Sequence, residues 1–332
     1  MPHDKDSYIA ELLCEIKHNN LRRAPWHDYF SPCYYLITFS KNHDSRVPRF
    51  SDIVCRANGI VTTEFTPTGW DIFNSIKLFQ HDYSDIKFGR FVIMPDHVHL
   101  IFRVLNRTDK SLSNYMASLK GYCTRAFRKS IPEAEDLQFS IFEPGFNDRI
   151  LLYSNQLQTW TNYILDNPRR LFLMKENPRF FERSELIINN SRHFQVYGNR
   201  HILQYPEKAQ VVYHRRYNDT EWSEIKNNYL RIARNRGVLI SPFIHPKEKE
   251  VINEALKLGG RIIIIQQYPF LDKEKPSGNH YNCCSEGIMT FVSLHESTPK
   301  VNQEGISYKI CQRMNNMAEW LATAHSSQIR FA

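Results

Sequence analysis

The run Phe91-Val92-Ile93-Met94-Pro95-Asp96-His97-Val98-His99-Leu100-Ile101-Phe102 limits what this chain can fold into more than any other stretch. Successive side chains of an extended strand point to opposite faces, so His97 and His99 share one face while Val98, Leu100, Phe102 and Val104 line the other. One side of the strand is apolar and the other carries imidazole. The preceding residues, Ile86 to Met94, read as a second strand, and Pro95-Asp96 reads as the tight turn between them, which makes the segment a hairpin inside a sheet. Neutral imidazole is the commonest protein metal ligand, and two on one face of a rigid strand supply half a coordination sphere. A solvated His-x-His face is the plain alternative.

A second segment carries chemistry of a different kind. From Asn155 to Asp166 the apolar residues Leu157, Trp160 and Ile164 recur at helical spacing, with Asn155 and Gln158 placed as a capping box and Pro168 as the expected stop. Residues four apart stand one above the other on a helix, so Tyr163 and Asn167 present a phenol and a carboxamide to the same neighbour. One could attack and the other coordinate. They could equally be a rim residue and a helix-end residue.

The string Val92-Ile93-Met94-Pro95-Asp96-His97-Val98-His99-Leu100 resembles the metal-binding strand of the HUH single-tyrosine transposases, in particular their REP-associated branch, where Asn usually stands at the position of Asp96. Phe146-Asn147-Asp148-Arg149-Ile150 and the later Tyr163-Ile164-Leu165-Asp166-Asn167-Pro168 resemble that family's second block, and the likeness spans roughly residues 30 to 183. The resemblance implies that Tyr163 is the nucleophile and that His97, His99 and Asn167 hold Mg2+ or Mn2+. It implies attack on a DNA phosphate, a 5′-phosphotyrosine link and a freed 3′ hydroxyl, with no need of ATP. Single-stranded DNA, hairpin-containing, is the implied substrate, and a homodimer the implied assembly. Where the family commonly has Asp-His this chain has Asp148-Arg149, and Asp148 is expected in the layer behind the metal ligands. A replication initiator or relaxase often carries a second tyrosine beside the first. Thr159 stands one turn before Tyr163 instead.

The charge balance suits a nucleic-acid partner. The formal net charge is +8, and between Arg103 and Lys129 the bases Arg103, Arg107, Lys110, Lys120, Arg125, Arg128 and Lys129 face the single acid Asp109. Such a run is ordinarily a solvated helix face, but beside a phosphate-handling site Lys120, Arg125, Arg128 and Lys129 read as DNA-backbone contacts. Lys120 also falls where the family carries a lysine. The seven cysteines, Cys14, Cys33, Cys55, Cys123, Cys283, Cys284 and Cys311, show no Cys-x-x-Cys spacing and point to a reducing cytoplasm. No apolar stretch is long enough for a signal or membrane helix, so neither export nor membrane insertion is expected.

At 332 residues the chain is expected to form two domains, 1–194 and 195–332. The first reads as α+β: a helix at Ser7 to His18, a strand at Tyr34 to Phe39, a helix around Trp70 to Gln80, the His hairpin, a basic helix at Leu112 to Lys129, a strand within Phe139 to Leu152, and the tyrosine helix. That β-α-β-β-α-β order is ferredoxin-like, an antiparallel sheet with helices on one side and an open face for His97 and His99. The second reads as a smaller α/β, Rossmann-like unit with strands at Ala209 to Tyr213, Gly237 to Ser241, Arg261 to Gln267 and Ile288 to Leu294. Its helices are expected at Glu221 to Arg236, Pro246 to Leu258 and Tyr308 to Ala324, with a loop from Pro269 to Cys284. Gly198-Asn199-Arg200-His201-Ile202-Leu203 and Lys275-Pro276-Ser277-Gly278 are similar to strings in DNA-processing protein A relatives. A phosphate-binding version needs glycines at the first strand-to-helix turn, and Tyr213-His214-Arg215-Arg216 stands there. A binding or dimerisation module is expected. The alternative for the whole chain is a DNA-binding or scaffolding protein that kept the fold and lost the chemistry.

Overall fold

The apolar row of the His strand is buried as its alternation requires: Val98, Leu100, Phe102 and Val104 sit in one core with Tyr35, Ile37 and Phe39. A computed structural model describes residues 23–24, 26–130, 140–188, 192–271, 274–294 and 306–332. The helix expected at Ser7 to His18 and Cys14 lie outside the described residues.

The first compact unit runs to Phe172. Its sheet is built from β1 (Cys33–Ser40), β4 (Ile86–Ile93), β5 (His97–Val104) and β6 (Asn147–Leu151) in the order β4-β5-β1-β6. All three pairings are antiparallel, the strand order of a ferredoxin-like sheet. Helix α1 (Pro67–Asp82) starts on a Thr66 cap that accepts from Gly69 N, with Pro67 at the first helical position. It buries Ile72, Ile76 and Phe79, and α2 (Leu112–Ser130) buries Tyr115, Met116, Leu119, Cys123 and Phe127. Both helices cover the Val98 face. A Cβ on Gly69 would lie 2.0 Å from Phe50 O, so only glycine lets α1 start this close to the neighbouring backbone.

The hairpin of β2 (Ser51–Cys55) and β3 (Val61–Phe65) was not among the expected strands. Its turn closes with Arg56 N donating to Ile60 O at 2.9 Å, and Gly59 takes φ +78. Asn58-Gly59 between alternating segments is the signal that marks it.

Helix α3 (Ser154–Glu176) covers the other face of the sheet, packing Leu157, Trp160, Ile164 and Leu171 with Leu36, Val92, Ile101 and Leu151. The helix does not stop at Pro168 as expected. A proline forfeits one backbone donor, but the residues beyond it are good helix formers with an apolar face to bury, and Arg169 clamps Asp166 through Nε at 2.6 Å and Nη2 at 3.0 Å. The expected Asn155–Gln158 cap is also replaced. Gln156 Oε1 accepts from Leu152 N at 2.8 Å and Tyr153 N at 3.2 Å, while Gln158 donates to Asn162.

The second unit begins at Leu173, ahead of the junction expected near Gln195, because Leu173, Met174, Phe180 and Phe181 already belong to its core. β7 (Arg183–Ile188) and β8 (Arg192–Gly198) extend its sheet, which runs β13-β7-β8-β12-β11-β10-β9. β9 (Lys208–Gln210), β10 (Val238–Ser241), β11 (Arg261–Gln266) and β12 (Met289–Ser293) are parallel neighbours. β8, β7 and the short β13 (Arg330–Phe331) join antiparallel.

The all-apolar strands of this unit are buried on both faces. Leu239, Ile262 and Ile264 pack with α4 (Asp219–Arg234), α5 (Pro246–Lys257) and α6 (Gly278–Ser285). Ile240, Ile263 and Ile265 pack with α7 (Tyr308–Thr323). The loop expected from Pro269 to Cys284 contains α6, whose Cys283 and Cys284 are buried packing residues. Among the described residues no helix is long and apolar enough to cross a membrane.

Candidate functional site

The turn before the His strand is held from three sides. Met94 N donates to His97 O at 2.8 Å, Phe50 N to Pro95 O at 3.0 Å and Lys41 N to Asp96 O at 2.8 Å. From this fixed start, alternation along β5 sends both imidazoles to the α3 face. Their ring centroids lie 4.5 Å apart with planes at 72°.

Each ring is oriented through Nδ1. His97 Nδ1 lies 2.7 Å from Asp96 Oδ1, and His99 Nδ1 lies 2.7 Å from Thr38 Oγ1. In both cases Nε2 is the nitrogen left over, an arrangement that suits metal-binding histidines. Burial, with His97 adding a smaller push, lowers the His99 pKa to about 3, so the ring stays in the neutral form that ligates metals. Among the described residues there is no cluster of three or more His, Cys, Asp or Glu that could hold an ion. Two imidazoles therefore fit half of a divalent site, and further ligands would have to be neutral oxygens or the substrate's own.

α3 brings the phenol to the same place. Ile164 is fully buried against the sheet, and its neighbour Tyr163 lies at the edge of that contact, its ring 5.8 Å from His99 and 5.4 Å from Trp160. The guanidinium of Arg170 is 5.7 Å from the Tyr163 ring centroid. Asn167, one turn on, is 9% exposed. Its Nδ2 donates to Tyr163 O at 2.8 Å, which leaves Oδ1 as the acceptor end of the carboxamide. The structure thus gathers His97, His99 and Tyr163 within one chain, with Asn167 a helical turn from the phenol.

Asp148 is not in that group. It pairs with Ile37 across β1 and β6, and Ile37 belongs to the α1–α2 face, so the carboxylate lies across the sheet from the histidines. There it accepts from Arg23 Nη1 at 2.5 Å and Tyr29 OH at 3.2 Å, and burial raises its pKa. The carboxylate expected behind the ligands is instead Asp96. Thr38, which the sequence reading missed, orients the other ring. The sequence signal for it is a short aliphatic hydroxyl on the Tyr34-Leu36-Thr38 row of β1, placed opposite His99 once the register is known.

The expected DNA-contact residues all lie on α2, on the layer opposite the histidines. Lys120 donates to Glu143 O at 2.6 Å and to Gly145 O, and its Nζ sits 5.3 Å from the Phe39 ring centroid. Arg125 and Lys129 are exposed and Arg128 is half-buried. Lys120, Arg125 and Arg128 line a cavity of about 680 Å³ whose apolar wall includes Met116, Phe142 and Phe146.

Residues 61–167, about a third of the chain, match the sequence model of the family described as "Transposase IS200 like". That segment runs from β3 to Asn167 and contains His97, His99 and Tyr163. None of the curated proteins matches the chain. A solved structure described as "Structure of the REP associates tyrosine transposase bound to a REP hairpin" is similar at 16% identity, covering 44% of this chain and 72% of that one, with a TM-score of 0.32.

Proposed function

From a chain that carries an IS200-like transposase segment across its His strand and tyrosine helix, we propose a transposase that nicks and rejoins single-stranded DNA through Tyr163. The observation that carries this reading is the Tyr163 ring 5.8 Å from His99, on a helix packed over the imidazole face. His97 and His99, through Nε2, and Asn167, through Oδ1, would hold Mg2+ or Mn2+. When bound, such an ion supplies charge neutralisation at a non-bridging phosphate oxygen.

The chain's own residues account for the rest. Tyr163 Oη attacks phosphorus and loses its proton to solvent. The bond to the 3′ oxygen breaks, and that oxygen leaves as a hydroxyl after taking up a proton. The 5′-phosphotyrosine ester keeps the phosphodiester energy, so rejoining needs no nucleotide. Thr38 and Asp96 hold the imidazoles in place, and Ile164 anchors the helix that carries the nucleophile.

Tyr163 and His99 belonging to one chain supports use of the tyrosine in the subunit that supplies the histidines. On this reading the substrate contains a DNA hairpin, Arg125, Arg128, Lys129 and the partly engaged Lys120 track backbone phosphates along α2, and the working unit is a homodimer. The second unit is then a Rossmann-like module for binding or dimerisation.

The test is incubation with Mn2+ and end-labelled single-stranded DNA from the ends of the protein's own genetic element. Wild type is expected to leave a protein–DNA adduct that survives denaturation, and Tyr163→Phe and His99→Ala are expected to leave none. An adduct in Tyr163→Phe overturns the nucleophile. DNA binding without any adduct in wild type favours a protein that kept the fold and lost the chemistry.

A further inference from the structure

The two faces of the four-stranded sheet carry different bases, and strand register says which belong to the chemistry. Along β5 the α3 face receives His97, His99, Ile101 and Arg103 in alternation, so Arg103 stands on the same row as the histidines, roughly 20 Å from His97 at about 3.4 Å per residue. Lys87 is directly opposite Arg103 on β4, and Tyr34 is directly opposite it on β1. Arg149 on β6 stands opposite Leu36, which packs under α3.

Lys87, Arg103 and Arg149 are exposed, and none forms an ion pair among the described residues, unlike Arg23, Arg107 and Arg169. The two arginines lie over rings instead. Arg103 Cζ is 4.8 Å from the Tyr34 centroid and Arg149 Cζ is 4.5 Å from that of Trp160. Trp160 meets Tyr163 edge-on, and Tyr163 meets His99. Cations and rings therefore alternate from the far end of the face to the phenol.

Like charges directly opposite one another across an antiparallel pair weaken a sheet. Lys87 and Arg103 are such a pair, and an anionic partner relieves the repulsion. The bases of α2 do not reach this face, because the buried stripe of α2 packs on the Val98 side. We infer that Lys87, Arg103 and Arg149, with Tyr34 and Trp160, form the track along which the single strand approaches Tyr163, phosphates on the cations and bases on the rings. This rests on the proposed function and adds the path of the cut strand, distinct from whatever DNA lies along α2.

The test uses full-length protein, fluorescein-labelled oligothymidylate and EDTA, with affinity measured over a salt series. Each lost phosphate contact lowers the slope of log K against log salt by about 0.7 for single strands. Lys87→Gln/Arg103→Gln is therefore expected to lower the slope by about 1.4 with a melting temperature no lower than wild type, since both side chains are exposed and their mutual repulsion is relieved, and Arg149→Gln to lower the slope further. A strand carrying 4-thiothymidine is expected to photocross-link to the peptides containing Tyr34 or Trp160. A double variant with wild-type slope and affinity overturns the track, as do cross-links confined to the Phe146 peptide on the opposite face. Wild type that binds no single strand at any salt removes the proposed function itself, an outcome distinct from binding that ignores Lys87 and Arg103.

Discussion

Replacing Thr38 with Val removes a hydroxyl while nearly keeping the side-chain shape, and the structure says what the hydroxyl does. Its Oγ1 lies 2.7 Å from His99 Nδ1, and His99 is only 9% exposed, so little water can take its place. A buried ring nitrogen left without its partner costs roughly 1–3 kcal/mol, which corresponds to about 5- to 160-fold in any equilibrium that needs this ring orientation. Removing the partner behind a metal-bound histidine typically weakens metal affinity by about 10–100-fold, so two independent arguments meet in one range. Asp96→Asn is the comparison. The Asp96 side chain is 72% exposed, solvent can substitute for it, and the expected loss is smaller. Calorimetric titration of purified full-length variants with Mn2+, alongside thermal melts, reads both effects. Thr38→Val is expected to bind Mn2+ at least about tenfold more weakly than wild type and more weakly than Asp96→Asn. Wild-type affinity in Thr38→Val would refute the reasoning that this contact sets the ring.

Asp148→Asn is expected to lower the melting temperature, because it leaves the Arg23 guanidinium without its carboxylate, while leaving Mn2+ affinity unchanged; altered affinity would mean that Asp148 does reach the His face. Ile164→Ala, at a fully buried position on α3, is expected to cost about 2–5 kcal/mol in denaturant unfolding and to loosen Tyr163 with it; a loss of about 0.5 kcal/mol or less, as at surface positions, contradicts the packing described for α3. His99, with its pKa lowered to about 3 by burial, is expected to show no titration of its ring proton resonance between about pH 8 and about pH 5. The sign follows from linkage: between about 3 and the ordinary histidine value the unfolded chain binds the proton first, so this residue's contribution to stability falls as pH falls, by at most about 1.4 kcal/mol per pH unit. A midpoint near 6.5 for that resonance would show the ring to be solvated.

Much of the first unit was legible because its signals are local. Alternation placed β5 and turn residues placed the His hairpin, while β1, α1 and α2 form where strand, helix and basic helix were expected. What was misread depended on neighbours. Pro168 reads as a stop by its own chemistry, yet the helix continues because the residues beyond it have something to pack on. Asn155 and Gln158 satisfy the spacing of a capping box, but Gln156 reaches the orphan backbone donors. The β2–β3 hairpin carries its signal locally, in Asn58-Gly59. In the second unit the apolar runs Val238–Ile240 and Ile262–Ile265 suit strands buried on both faces, whereas β8 forms by pairing with β12, far along the chain, and β7 by pairing with β8.

By itself the sequence determined that His97 and His99 share a face, since alternation is a property of the extended backbone and holds in any fold that keeps the strand. It likewise determined that Tyr163 and Asn167 lie a turn apart. Only the tertiary structure decided who joins them. A one-residue change in the register of β6 against β1 would move Asp148 to the histidine face and Arg149 away from it, and no local pattern in either strand sets that register. Thr38, Trp160 and Arg149 enter for the same reason, through contacts between strands and a helix that meet only when the sheet closes.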